Sequence, residues 1–152
     1  MRISAKVDYA VRATLVLAAA VDERPIKAEQ IATSQHIPLT FLENILGELR
    51  HAGIVRSQRG PDGGFRLARD ADDVSVADVI RAVEGPLATV RGGPPEHSAY
   101  DGAAYALPRV WIAVRKNLRG VFEYVTLSDI ASGELPASIE LLASDPEAWV
   151  TR

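Results

Sequence analysis

The chain has 152 residues, of which 47% are hydrophobic and 24% charged, as expected for one compact domain or a small domain with a helical extension. Cysteine is absent, which excludes disulfides, thiol nucleophiles, cysteine-ligated zinc and all-cysteine iron–sulfur sites; we expect a cytoplasmic protein. Residues 1–70 hold 10 basic and 8 acidic residues, whereas residues 71–152 hold 7 and 12. A local run of arginines predicts a focused site for a polyanion. The run comprises Arg50, Arg56, Arg59, Arg66 and Arg69.

The first apolar stretch, residues 13–21, is much shorter than the roughly 20 residues that a membrane span needs. A secretory leader is the alternative, but Asp8 and Arg12 interrupt it at the spacing that pairs opposite charges on a helix. We therefore expect no contact with a membrane. The pattern predicts instead a first amphipathic helix, capped by Ser4 and running to about Val21.

Two shorter helices follow, over residues 27–34 and from Leu39 to a C-terminal glycine, Gly53. The turn between them contains Pro38, which disfavours helix in the residue before it. Such a pair packed on a first helix predicts a helix-turn-helix DNA reader, with a plain three-helix core as the alternative. The stripe expected to face the core comprises Phe41, Leu42, Ile45, Leu46 and Leu49.

A β-hairpin is predicted after the third helix, with strands at residues 54–57 and 65–68 and a glycine-rich loop at residues 59–64. Arg59 beside Gly60 places a guanidinium on a slim tip that suits a narrow DNA groove. A nucleotide-binding loop is the alternative, but the segment lacks the Lys-Ser/Thr of a P-loop and leads into a strand. The predicted DNA-binding residues are Ser4, Lys6, Thr40, Phe41, Glu43, Asn44, Arg50, Arg56, Arg59 and Gly60.

The second half predicts an assembly role. Ser75 and Asp78 form a capping pattern for a helix that Gly85 closes, and a longer helix spans about residues 103–124, its regular part starting near Pro108. Its apolar stripe needs a cover, which we expect to be a second copy of the chain; burial within the monomer is the alternative. The predicted dimerisation residues are Leu107, Trp111, Val114, Leu118, Val121 and Phe122.

The predicted fold is therefore mainly α with a small β-hairpin wing: a winged helix-turn-helix with a long dimerisation helix. We assign residues 1–84 to the DNA-binding domain, residues 85–102 to a loop, and residues 103–152 to the dimerisation helix and tail. The three histidines stand apart from any nucleophile or carboxylate constellation, so we expect no enzyme.

Five segments, taken together in their order and spacing, carry a family resemblance: residues 3–12 (ISAKVDYAVR), 37–43 (IPLTFLE), 59–65 (RGPDGGF), 75–80 (SVADVI) and 126–130 (TLSDI). They resemble the Rrf2 family of bacterial winged-helix transcriptional regulators, which includes IscR-, NsrR- and CymR-like proteins, over about residues 1–131. The resemblance implies a homodimeric repressor on a near-palindromic operator. It places the third helix in the major groove and the wing arginine in the minor groove.

The chain departs from that family in one loop. Many members bind an iron–sulfur cluster through three cysteines there, whereas residues 91–101 read RGGPPEHSAYD. Glu96, His97 and Asp101 are candidate ligands for a harder metal, but we expect neither metal nor cofactor. The resemblance to the cysteine-free branch implies a small-molecule or protein effector. The alternative function is a regulatory module that binds a metabolic enzyme, such as cysteine synthase, with weak or no DNA binding.

Overall fold

The computed structural model describes residues 2–151 and is mainly helical, with one two-stranded antiparallel hairpin. The predicted fold class, mainly α with a hairpin wing, is confirmed. The helices are α1 (Ala5–Ala18), α2 (Ala28–Gln35), α3 (Leu39–His51), α4 (Val76–Glu84), α5 (Leu107–Phe122), α6 (Leu127–Ser132) and α7 (Ala137–Ser144). The strands are β1 (Val55–Gln58) and β2 (Gly64–Leu67), and short 3₁₀ turns lie at Ala71–Asp73, Pro95–His97, Gly102–Ala104 and Pro146–Trp149.

Helix α1 begins where predicted and ends earlier than predicted. The Ser4 hydroxyl accepts a hydrogen bond from the backbone N–H of Val7 at 3.1 Å, which satisfies one free donor of the first turn. The helix ends at Ala18, three residues before the predicted Val21. Leu17 is the last buried residue of α1, whereas Val21 is 96% exposed. Because Val21 has no core to pack on, burial does not support a further turn.

The turn between α2 and α3 stops one helix and starts the next. His36 takes the left-handed conformation (φ 53°) that ends α2, and the buried Ile37 donates its N–H to the Ala32 carbonyl at 3.0 Å. Pro38 then occupies the N-cap position of α3, where its carbonyl accepts from the Leu42 N–H at 3.0 Å. Gly53 with φ 74° follows the last turn of α3, as the sequence predicts.

The core lies between α1, α2, α3 and α4. The α3 stripe faces it as predicted, with one correction: Phe41 is 57% exposed, so its burial was wrongly predicted. Phe41 lies about 100° around the helix from Leu42 and at its first turn, beyond the edge of the core. The polar side chain of Thr14 is buried beside this core, where its hydroxyl bonds the carbonyls of Ala10 and Val11 at 3.1 and 2.8 Å.

The hairpin is fixed to the rest of the molecule through the segment before α2. Ile26 and Phe65 exchange both backbone hydrogen bonds at 2.8 Å, which adds one paired residue beside β2. Gly64 lies at this contact with φ 153°, and a Cβ there would meet the Ile26 backbone at 2.6 Å. The wing therefore has a set direction, and a side chain at residue 64 would move it.

Helix α6 closes the core although it lies far along the chain. The Ser75 and Thr126 backbones pair side by side, and each residue caps its helix in a box with a carboxylate three residues later, Asp78 or Asp129. Leu127 is fully buried. Residues 125–132 thus pack with the N-terminal helices rather than with α5.

Helices α5 and α7 differ from the others, because neither contains a buried residue. Pro108 lies in the first turn of α5, which begins at Leu107 as the proline predicts. Several members of the predicted dimer stripe are half-buried by their own chain, and Phe122 packs against its core. Across residues 2–151 no helix has both the length and the apolar character required to cross a membrane.

Candidate nucleic-acid interface

The outer face of α3 presents short and polar side chains. Thr40, Glu43 and Asn44 are exposed on its first two turns, opposite the buried Leu42 and Ile45. Glu43 forms no ion pair within the described residues. The first turns of such a helix approach base edges in helix-turn-helix proteins. These three side chains are therefore free to make polar contacts with a groove.

Phe41 adds an aromatic surface beside that polar face. Its ring meets the ring of Tyr9 edge-on, with centroids 6.4 Å apart and planes at 79°. The Arg12 guanidinium lies 5.1 Å from the Tyr9 centroid and bonds Asp8 at 2.8 Å. This stack supports the exposed phenyl ring, which suits apolar contact with a thymine methyl group. From the sequence, Phe41 was predicted both in the core and at the DNA interface. The structure exposes its ring, which fits the second prediction.

The wing tip carries Arg59 and Gly60, both exposed. Gly60 has φ 105°, and its carbonyl accepts a hydrogen bond from the Gly63 N–H at 3.0 Å, which closes the tight turn. Gly63 is buried, and a Cβ on it would lie 2.3 Å from the Gln58 carbonyl oxygen. The consecutive glycines thus keep the tip thin, with Arg59 at its start.

Helix α3 and the wing border the same cleft. Glu43 lines it from α3, Gly60 and Gly63 line it from the wing, and Lys27 lines it from the start of α2. Sequence reasoning did not assign Lys27 a role. A lysine immediately before the first helix of a helix-turn-helix pair is the signal that would have identified it.

The structure separates the arginines of the basic run. In the hairpin register Arg56 lies directly opposite Arg66, a like-charge pair that is unfavourable unless an anion or solvent screens it. Both border a cleft beside the end of α1, together with Arg24 and Arg69. Arg50 instead donates a long 3.4 Å hydrogen bond to Ser57. Arg24 pairs with Asp22 at 3.5 Å, whereas Arg56 and Arg66 form no ion pair within residues 2–151.

Ser4 and Lys6 are engaged within the chain. The Ser4 hydroxyl, besides capping α1, donates to the carboxylate of Glu84. Both carboxylate oxygens of Glu48 lie 2.9 Å from the Lys6 ammonium. The positive charge of Lys6 is thus balanced on the edge of α3, and DNA would have to displace Glu48 to use it.

The loop of residues 85–102 is folded against α5. Arg115 of α5 bonds Glu96 at 2.7 Å, and Arg91 lies 5.7 Å from the centroid of the Tyr100 ring. The pKa of Glu96 lies below its ordinary value, because its own backbone N–H and then the Arg115 guanidinium stabilise the carboxylate. Glu96 is therefore an ion-pair partner at neutral pH.

Comparison with known proteins assigns the fold to a family. The family model described as Rrf2, iron-dependent transcriptional regulator, matches residues 3–133. The chain belongs to the Rrf2 family. It is thereby a DNA-binding transcriptional regulator of the winged-helix class and not an enzyme.

Relatives and solved structures agree with that assignment. A protein of Mycobacterium tuberculosis strain H37Rv, named as an HTH-type transcriptional regulator, is 45% identical over 97% of this chain and 92% of its own. CymR of Bacillus subtilis is 33% identical over 87% of this chain and 91% of its own. The CymR structure, described as the global cysteine regulator, superposes with a TM-score of 0.74 at 32% identity, covering 88% of this chain and 98% of CymR. The T. potens IscR structure gives 0.69 at 30% identity, covering 100% and 93%.

The iron dependence in the family description does not fit the residues of this chain. The chain has no cysteine to ligate an iron–sulfur cluster. Within residues 2–151, no three histidine or carboxylate side chains gather as a metal site. Glu96, one of the three candidate metal ligands that the sequence suggested, instead bonds Arg115. The chain is thus a cysteine-free member of the Rrf2 family.

Proposed function

We propose that the chain is a cytoplasmic, homodimeric repressor that binds a near-palindromic DNA operator. In each protomer α3 enters the major groove, and Arg59 of the wing reaches the adjacent minor groove. One observation carries the proposal: Glu43 of α3 and Gly60 of the wing tip line the same cleft. A duplex seated there meets both reading elements together.

The base-reading part of the proposal rests on the chemistry of the α3 face. Asn44 can donate to and accept from an adenine edge, and Glu43 can accept from cytosine N4. Thr40 and Phe41 supply a methyl group and a ring for thymine. We place Gly60, Arg50 and Arg56 along the DNA sugar–phosphate backbone. Ser4 and Lys6 contact it where a phosphate displaces their carboxylate partners, Glu84 and Glu48.

The dimer part rests on α5. Val110, Ile112 and Val114 are 51%, 38% and 38% exposed on a helix that buries no residue in the described chain. The indole N–H of Trp111 is buried without a hydrogen-bond acceptor in the described residues. Because its own chain already encloses that atom, a second chain is favoured instead by the exposed valines and isoleucine, which such a chain would remove from water.

The regulatory part concerns residues 85–102. This segment joins the DNA-binding unit to α5 and is held to α5 through Glu96 and Arg115. An effector, either a small molecule or a protein, that binds here would shift the position of α5. That shift would change the spacing between the two DNA-binding units of the dimer. The distance between half-sites depends on that spacing.

Selection of genomic fragments by the purified protein tests the proposal. The expected result is a set of sites with two-fold sequence symmetry and half-sites about one helical turn apart. A reporter placed behind such a site should be less active when the protein is present. Recovery of asymmetric sites, or of no sites above background at about 150 mM salt, would reject the operator model.

A further inference from the structure

The C-terminal arm, residues 134–151, forms a small lobe that leaves much of its apolar surface exposed. It contains α7 and the turn Pro146–Trp149, which contact each other, and the Trp149 indole donates to the Ala143 carbonyl at 2.6 Å. Neither element has a buried residue. Its large apolar side chains are mostly solvent-exposed: Leu141, Leu142, Trp149 and Val150. The arm lies beyond the family match, which ends at residue 133.

The arm is acidic, whereas α5 and its approach are basic. Residues 134–151 contain four acidic residues and no lysine or arginine. Residues 102–122 contain four basic residues and no aspartate or glutamate. This separation places an apolar, negatively charged lobe and an apolar, positively charged helix in one chain. Such surfaces are complementary in both respects.

One side of α5 keeps its positive charge uncompensated. Arg115 pairs with Glu96 and Arg119 with Glu123, both within the chain. Arg109 and Lys116 are exposed and form no ion pair within residues 2–151. Helical geometry places these two on the same side as Ile112, which is 38% exposed. Arg109, Ile112 and Lys116 form what we call the basic ridge.

We propose that the arm of one protomer packs on the basic ridge of a second copy of the chain. The exposed leucines of α7 cover Ile112, and Glu140 lies against Arg109 and Lys116. Within one chain Ile112 of α5 and Leu141 and Leu142 of α7 all remain exposed, so these side chains do not cover each other there. The proposal rests on the homodimer proposed above and adds to it a second contact, outside the Val114 side of α5.

The absence of cysteine allows a direct test by cross-linking in the full chain. One tagged chain carries Ile112→Cys and a second, differently tagged chain carries Leu142→Cys; the two are mixed, allowed to exchange and mildly oxidised. The expected product is a disulfide-linked heterodimer carrying both tags. As the matched control, Val21→Cys replaces Leu142→Cys at a 96% exposed site and should give at least about tenfold less product. Equal yields from both pairs would overturn the proposal.

A charge exchange gives a second readout. Lys116→Glu should raise the dimer dissociation constant about threefold or more, and Glu140→Lys in the same chain should restore it, as expected for one exposed ion pair. Failure of the second substitution to restore dimerisation would overturn the contact. An internal disulfide in one chain carrying both Ile112→Cys and Leu142→Cys would show that the arm folds on its own helix, which also overturns it. A wild-type chain that stays monomeric at micromolar concentration would instead contradict the homodimer itself.

Discussion

The two halves of the molecule bury their apolar side chains in different ways. Residues 5–84, together with 125–132, enclose a continuous core in which Leu42, Leu46 and Leu127 are inaccessible to solvent. Helices α5 and α7 contain no buried residue, although both are rich in leucine, isoleucine and valine. The first unit has what it needs to fold as a single chain. The second leaves apolar surface exposed, and surface of this kind marks sites of protein–protein contact.

The two units also differ in the use of charge. Around α1 and α3, acidic side chains engage their neighbours inside the unit, as Glu48 does with Lys6. On the wing, Arg56, Arg59 and Arg66 form no ion pair within the described residues. The packed unit thus leaves unpaired cations on the wing, the tip of which is proposed to meet DNA. The partner proposed for α5 is instead another protein chain.

The largest expected effect lies in the packed unit. Leu46→Ala removes a side chain with no solvent exposure and should lower the free energy of unfolding by about 2–5 kcal/mol. The matched control is Leu141→Ala on the arm, which should change it by less than about 0.5 kcal/mol. Urea titrations at a dilution where the chain is monomeric measure both. Similar losses from the two substitutions would contradict the contrast between the units.

The next effect concerns assembly. Val114→Glu places a carboxylate on the open side of α5, where dimer formation would bury it without a partner, so the dimer dissociation constant should rise at least about tenfold. Operator binding should weaken with it, while the unfolding of the monomer stays unchanged. The control, Val21→Glu, adds the same charge at an exposed site outside α5. Sedimentation of both variants decides: an unchanged dimer in Val114→Glu would remove α5 from the interface.

Local patterns predicted the packed unit well because its signals are local. Periodicity, caps and glycines located α1 to α4 and the hairpin, each to within a few residues. The incorrect assignment of Phe41 came from the same method: a period of 3.6 identifies a face but not where the core ends along the helix. The sequence also gave no sign that Val21 lies beyond the core.

Contacts between distant segments were not predictable in the same way. Nothing near Leu127 indicates that it completes a core built by residues 5–84, since that depends on how the chain returns after α5. The pairing of Ile26 with Phe65 and the register that opposes Arg56 to Arg66 also depend on tertiary geometry. For the candidate site, the chemistry of the side chains was enough to predict DNA-binding residues on α3 and at the wing tip. The engagement of Lys6 by Glu48 emerged only from the structure.

A smaller effect separates base reading from assembly. Glu43 lies on the packed unit and makes no ion pair within residues 2–151, so Glu43→Ala should leave the dimer unchanged. A carboxylate accepts from cytosine N4 and is repelled by phosphates. The substitution should therefore keep or raise general DNA affinity and reduce discrimination by about 1–3 kcal/mol at one or two symmetric positions. Binding to randomised operators measures this, and identical base preferences would place Glu43 outside the groove.

The smallest expected effect tests the wing alone. Arg59 is exposed at the tip, where it can lie close to phosphates without supporting the fold. Arg59→Ala should weaken operator binding severalfold, about 1 kcal/mol, and lower the number of ions released on binding by about one. Stability and dimerisation should stay as in the wild type, because the tip is closed by the Gly63–Gly60 backbone bond and not by the arginine. The control, Arg91→Ala in the loop before α5, removes the same charge away from the proposed interface. If the salt dependence of operator binding falls equally in both variants, the effect belongs to the net charge of the protein, and the wing does not enter the minor groove.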